Sequence, residues 1–297
     1  TIAGYFVQDE LTLKHHIPTI APHFGLINTS STRYAEFRDE ITKLNDEARK
    51  EGGYVKFFLL SRHGQGYHNV AESKYGTEAW DEYDSLRLSS HWSKLNGDDE
   101  ITWGPDPQLT PLGTSQAQDI HRVMEQEAKE GLEAPHKRYC SPLTRAMRTC
   151  FIMYDGVFDN ASAVTVLENC REENGEHTCD KRNTRSYIAS AFPSFEIEEG
   201  LTEQDELWDA DVRETKAQVS HRARKVLDLV FEKDVEDTFI SITAHGGWID
   251  GFLTAVGRTR IPLPTGGEYG FRDLFIEMLI QFWLCVKVSF QLLSRQK

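Results

Sequence analysis

Short apolar runs alternate with longer amphipathic stretches through most of the chain, and this alternation predicts strands separated by helices. Residues 54–60 are apolar and aromatic enough for a buried strand, and Gly52-Gly53 mark its start. Thr110-Pro111 opens a helix, with Thr as N-cap and Pro in the first turn; Ala117, Ile120, Met124 and Ala128 follow at helical spacing. A strand over 136–140 leads into a second capped helix beginning at Ser141-Pro142, and 163–167 read as a further strand. A helix over 214–233, a strand over 238–244 and a short helix over 248–256 complete the series. Strands joined by capped helices make βαβ units. The expected fold class is therefore α/β: a three-layer α/β/α arrangement with a mainly parallel central sheet and helices on both faces.

Three regions stand apart within what reads as one domain over residues 1–297. Residues 1–53 form a polar N-terminal extension with its own helix over 32–50. Residues 171–213 form a long insertion without clear periodicity, and loops of that length inside a compact domain are usually lids or binding elements. Residues 275–293 are strongly apolar but are interrupted by Glu277, Gln281 and Lys287. A membrane-spanning helix needs about 20 predominantly apolar residues, so a buried helix running into a strand is the preferred reading and a membrane anchor the weaker alternative. There is no fixed-period repeat and no low-complexity tract.

Charge narrows the choice of partner. The 33 Lys and Arg against 47 Asp and Glu give a formal net charge of −14. A nucleic acid or anionic membrane is held by a basic patch that releases counterions, so neither is expected as a partner. The imbalance is concentrated: residues 196–214 carry nine carboxylates and one base, Arg213. Five Cys in 297 residues are too few for a disulfide framework, which favours a reducing compartment, the cytoplasm with the nucleus as an alternative. Cys170 and Cys179 are close enough in sequence to bridge a loop, but free thiols are the preferred reading, and no Cys or His spacing matches a structural zinc site. Residues 1–13 lack the basic and apolar regions of a secretory signal.

In parallel α/β sheets ligands collect beyond the carboxyl ends of strands, where loops meet helix N-termini. The first strand runs into Ser61-Arg62-His63-Gly64-Gln65-Gly66-Tyr67-His68-Asn69. Alone, a His beside Gly is more often a turn residue than a ligand. The next strand runs into Tyr139-Cys140-Ser141-Pro142-Leu143-Thr144-Arg145, and with Ser141 as N-cap Arg145 falls in a helix first turn. The macrodipole disfavours a cation there unless guanidinium and helix end share an anion. The strand over 238–244 delivers Ala244-His245-Gly246-Gly247. Two His and two Arg at strand ends make a compact cationic cluster in an acidic protein, and phosphate is the ligand this predicts.

Four of these strings in this order resemble the histidine phosphatase superfamily, also called phosphoglycerate mutase-like: Arg62-His63-Gly64, Ser141-Pro142-Leu143 before Arg145, Arg171-Glu172 with Gly175 following, and His245-Gly246. Further strings resemble its fungal and plant branch of broad-range phosphatases and mutase-like proteins: Gln65 to Val70, Leu109-Thr110-Pro111-Leu112-Gly113, His177-Thr178-Cys179-Asp180-Lys181-Arg182, and Arg213-Glu214-Thr215. The resemblance covers about residues 54–267. It implies that His63 is a nucleophile forming a phosphohistidine, and that Arg62, Arg145, His245 and Asn69 bind phosphoryl oxygens. It implies that a carboxyl after the fourth strand serves as acid and base. Glu172 is preferred because it follows Arg171 directly, and Glu173 is the alternative. No metal or other cofactor is implied, since Arg and His supply the charge that magnesium supplies elsewhere.

The expected activity is hydrolysis of a small phosphorylated metabolite. A mutase needs a closed lid over a multiply anionic intermediate, and the acidic segment 196–214 suits that poorly. Phosphoglycerate mutase-type transfer and a non-catalytic phosphate-binding or interaction module are the alternatives. His68 and His177 adjoin the motifs and read as ordinary surface or core histidines, with substrate contact the alternative, and Trp80, Trp92, Trp103 and Trp208 read as packing residues near the mouth of the site. Members of the resembled branch end soon after a Pro-Thr-Gly-Gly with a final apolar strand. Here Gly267 is followed by Glu268 to Leu284 before Cys285-Val286-Lys287-Val288, an insertion expected to cover a sheet edge or make a homodimer contact.

Overall fold

The computed structural model describes residues 2–7, 20–81, 91–159 and 161–258, and the backbone of 281–289. Six strands, β1 (Gly53–Arg62), β2 (Lys137–Cys140), β3 (Val164–Val166), β4 (Phe195–Ile197), β5 (Phe239–Ala244) and β6 (Gln281–Ser289), form one sheet in the order β4-β3-β2-β5-β1-β6. The first five run parallel, and β6 lies antiparallel along β1.

The apolar run of β1 follows from its position. Phe57 and Leu59 enter one buried cluster, whereas Phe58 and Leu60 enter another. A strand covered on both faces has no polar side, and a one-residue slip would exchange the two sets. The first cluster takes Tyr34 from α1 (Arg33–Lys50), Ile120 and Met124 from α4 (Pro111–Lys129), and Met147 and Cys150 from α5 (Thr144–Tyr154). The second takes Val219, Val226 and Val230 from α7 (Lys216–Lys233), and Trp248 and Phe252 from α8 (Gly246–Ala255). Each such side chain contributes about 1.5–3 kcal/mol on burial. Two short helices, α2 (Tyr67–Tyr75) and α3 (Thr77–Asp81), follow the carboxyl end of β1, and α6 (Arg185–Ala191) precedes β4. The three-layer α/β/α reading is thus observed.

Several local expectations are corrected. The helix assigned to begin at Ser141-Pro142 begins at Thr144, because its N-terminus is capped from a distance: Thr144 N and Oγ1 donate to Asp106 Oδ1 and Oδ2 at 2.8 and 2.7 Å. Ser141 is buried and engaged elsewhere. The insertion 171–213, read without regular structure, contains α6 and the edge strand β4; three residues paired only to β3 are too few to set a period. Within the apolar tail the last strand starts at Gln281, earlier than Cys285. Residues 268–280 and 290–293 lie outside the described residues, and with them the expected helix. Among the described residues no helix is long and apolar enough to cross a membrane.

The loop after β1 is locked to the start of α4. Thr110 caps that helix by accepting from Gly113 N at 3.0 Å, and Thr110 N donates to Gln65 O at 2.9 Å. A Cβ on Gly64 would lie 2.3 Å from Gly113 O, and one on Gly113 would lie 2.1 Å from Gln65 O. Only glycine permits this backbone approach.

Two predictions follow from these contacts. Gly113→Ala should cost about 1–3 kcal/mol in denaturant unfolding, whereas Gly200→Ala, where a Cβ meets nothing within 4 Å, should change stability by less than about 0.5 kcal/mol. A chain ending at Gly267 lacks β6 and exposes the backbone edge of β1 from Gly53 to Ser61. It should melt at a lower temperature and associate on gel filtration; an unchanged, monodisperse chain would mean that β6 does not support the sheet.

Candidate active site

Parallel pairing places two imidazoles side by side. His63 lies one residue beyond β1, and its N–H donates to Ala244 O at 3.1 Å, so β1 and β5 end in register. The His63 and His245 rings stand 4.9 Å apart, with His68 from α2 at 5.4 Å from His63. Arg62, His63, Asn69, Arg145 and His245 are all buried. The structure therefore brings together Arg62, His63, Arg145 and His245, and holds Asn69 in the first turn of α2 against the loop after β1.

Hydrogen bonding settles the form of His63. Its Nδ1 faces Gly64 O at 2.7 Å, and a carbonyl only accepts, so Nδ1 carries the proton. Burial first, then Arg145 and Arg62, hold the imidazole well below its ordinary pKa, against the opposing Gly64 bond. The ring is neutral, and Nε2 keeps its lone pair, accepting from Arg145 Nε at 3.3 Å. Gly64 N donates to Thr149 Oγ1 at 3.0 Å, which fixes the loop from the side of α5.

His245 is likewise held neutral, by burial and then by Arg145 and its neighbouring imidazoles. Its Nε2 lies 2.7 Å from Ser141 Oγ, the hydroxyl that the sequence had assigned to a helix cap. Its Nδ1 has no hydrogen-bond partner in the structure. Asn69 Oδ1 accepts from Gly66 N at 3.0 Å, which leaves its amide nitrogen as the side-chain donor. Arg145 also donates through Nη1 to Cys179 O at 2.7 Å and through Nη2 to Asp180 Oδ1 at 2.8 Å.

Glu172 sits at the N-terminus of α8, accepting from Gly247 N at 3.2 Å and Trp248 N at 3.1 Å. Burial, then the negative charge of Asp180, pushes its carboxyl above the ordinary range. Glu173 lies beside it, and its carboxylate is paired with Lys216. Glu172 is the one held by the backbone N–H groups that open α8, with Asp180 and Arg145 among the charges around it.

Asp180 went unassigned in the sequence, and it is the counter-ion of the site. It is buried and also accepts from Arg213 Nη1 at 2.9 Å. Burial alone would raise its pKa, but Arg213 and Arg145 outweigh this and hold the carboxyl below its usual range. Two carboxylates of the acidic segment work similarly: Asp205 binds Arg171 at 2.6 Å, and Glu214 binds Arg222 at 2.6 Å. These carboxylates neutralise buried guanidinium groups and do not line the site as free negative charge.

The flanking residues divide. Trp80 and Trp103 pack with Ala71 and Cys179, and Trp92 stacks on Tyr75 at 3.8 Å. Trp208 donates to His177 O at 2.9 Å. His68 is buried with Nδ1 unpartnered in the structure, whereas His177 faces Asp81 at 3.3 Å, its pKa lowered to about 4 by burial and Arg213. Cys140, Cys150, Cys170 and Cys179 are free thiols, so Cys170 and Cys179 do not bridge. Among the described residues, two groups of side chains could share a metal ion, His177 with Cys179 and Asp180, and His23 with Glu127 and Glu130. In each the carboxylates already bind guanidinium groups, Arg145 and Arg213 in the first and Arg33 in the second.

Comparisons with known proteins identify the family. The family described as histidine phosphatase superfamily (branch 1) matches residues 89–265, a span that includes Arg145, Glu172 and His245 and begins after His63. A probable phosphoglycerate mutase of Arthroderma benhamiae is 39% identical over 90% of this chain and 81% of its own length. The phosphomutase-like protein 3 of Candida albicans is 34% identical over 71% of this chain, which spans 63% of that protein. Among solved structures, the ecdysone phosphate phosphatase EPPase from Bombix mori, in complex with tungstate, aligns at a TM-score of 0.45 and 18% identity, over 78% of this chain and 88% of that one. The family match and the extent of identity to the fungal proteins together establish that the chain belongs to the histidine phosphatase superfamily.

Proposed function

We propose that this protein is a metal-independent phosphatase that hydrolyses small phosphate monoesters through a phosphohistidine on His63. The observation that carries the reading is the neutral His63 ring, its Nδ1 proton bound to Gly64 O and its Nε2 lone pair beside the Arg145 guanidinium. In-line attack forms the Nε2–P bond and breaks the bond from phosphorus to the substrate oxygen, with Glu172 giving its proton to the departing alkoxide. Arg62, Arg145, His245 and the Asn69 amide hold the non-bridging oxygens, where negative charge is spread in the transition state. The Glu172 carboxylate then takes a proton from water as that water attacks phosphorus, the P–N bond breaks, and phosphate departs.

Phosphoglycerate mutase-type transfer is the second reading, favoured by the names of the fungal relatives. It requires a second anionic group to be held near the cluster. Three cations flanking the cluster already face carboxylates: Lys94 faces Glu176 at 3.5 Å, Arg213 faces Asp180 at 2.9 Å, and Lys216 pairs with Glu173. This supports a substrate whose charge is confined to one phosphate.

His63→Ala should abolish both turnover and acid-labile labelling of the enzyme by a phosphorylated substrate; retained activity would refute the mechanism. Phosphate release from generic monoesters should exceed transfer between phosphoglycerates, and the reverse ratio would favour the mutase. Glu172→Gln should slow alkyl phosphates by about 10²–10⁴-fold and p-nitrophenyl phosphate far less, since that leaving group needs no proton. A lowered imidazole pKa keeps the lone pair free until pH falls below the lowered value. The kcat/KM profile should therefore hold up below pH 6.5, where an ordinary imidazole would protonate.

A further inference from the structure

We propose that Asp180 is a positioning residue that sets the electrostatic balance of the phosphate site, aligning Arg145 with His63 and keeping a negative charge beside Glu172. The inference deepens the phosphohistidine reading and rests on it. A buried carboxylate is stable only when paired, and Asp180 divides its two oxygens between two arginines, Oδ1 to Arg145 at 2.8 Å and Oδ2 to Arg213 at 2.9 Å. A guanidinium has five N–H groups. For Arg145, one goes to His63 Nε2, one to Cys179 O and one to Asp180. Each Nη is left with one N–H to offer a phosphoryl group attached to His63.

The support behind this pair is stiff. Cys179 is buried against Ala71, Trp80 and Trp103, and Asp180 O accepts from Arg171 Nη2 at 2.6 Å. Arg213 reaches on from Asp180 to Glu173 O at 2.8 Å and Gly175 O at 2.7 Å, so it clamps the loop that carries Glu172. One carboxylate therefore connects the phosphate-binding arginine of α5 to the loop of the acid.

Charge gives Asp180 a second effect. Around Glu172 stand Asp180 and Glu173, which disfavour its ionised form, and Arg145 with the backbone N–H groups of Glu173, Gly247 and Trp248, which favour it. Around Asp180 stand Arg213, Arg145 and His177, with the Arg171 guanidinium on its carbonyl. Without Asp180 the cluster would bind phosphate more strongly, and Glu172 would ionise at lower pH. Both changes oppose turnover, the first through product release and the second through loss of the acid.

Asp180→Asn preserves size and removes the charge. The expected result is a kcat lower by on the order of tenfold, a competitive Ki for inorganic phosphate lower by a similar factor, and an alkaline limb of the pH–rate profile moved to lower pH. A residue that only braced the fold would weaken phosphate binding together with kcat. Arg213→Gln, at a partly exposed side chain, supplies the opposite case and serves if Asp180→Asn does not fold: Asp180 then has one fewer counter-ion, so phosphate should bind more weakly and the alkaline limb should move up. The proposal is overturned if either variant loses kcat with the phosphate Ki and alkaline limb unmoved, or if Ki moves in the opposite sense. A wild-type protein without monoester turnover overturns the phosphatase reading instead. Phosphate affinity of both variants by calorimetry would still decide whether Asp180 sets the charge of the site.

Discussion

Everything in the site depends on keeping one lone pair available on a nitrogen surrounded by positive charge. Arg62 and Arg145 make the space around His63 attractive to a phosphate, and the same two groups make a second proton on the ring unfavourable. Burial acts in the same direction, because an imidazolium would lose its hydration there. The Gly64 carbonyl then decides which nitrogen carries the proton and which keeps its lone pair. Anion attraction and nucleophilicity thus arise from one arrangement.

That arrangement has to be neutralised from behind, and the segment after Glu172 does this. Buried Arg171 and Arg182 and the partly buried Arg213 and Arg222 are threaded through carboxylates and backbone carbonyls of residues 168–214. An isolated buried guanidinium would be costly, whereas a paired network rigidifies the loops that contain it. The acidic excess of the insertion is therefore in part an internal matter, and the −14 net charge overstates how negative the surroundings of the ligand are.

The parts legible in the sequence were those with local signatures. The β1 run, the Thr110 cap, the apolar stripe of α4 and the extent of α7 are set by neighbours a few residues away, and the structure places them within a residue or two of expectation. The juxtaposition of His63, Arg145 and His245 followed from a general rule about strand ends. What was illegible was set from a distance. Asp106 caps α5 from 38 residues away, and this moved the helix start past Ser141 and freed that hydroxyl for His245. β4 is a strand only because β3 lies beside it. Asp180 was one acid in a quoted string, with nothing in its spacing to pair it with Arg145, 35 residues earlier.

The sheet order carries a consequence for how the chain is made. β1 is the first strand of the sheet in sequence, yet among the described residues its neighbours in the sheet are β5 and β6. β5 follows roughly 180 residues later, on the order of 10–40 s at ribosomal rates of about 5–20 residues per second. For that interval β1 has neither of these partners, and non-local pairing of this kind is intrinsically slow. His63, one residue beyond β1, gains its backbone bond to Ala244 and its neighbour His245 only when β5 arrives, so a site of the proposed kind is completed late in synthesis.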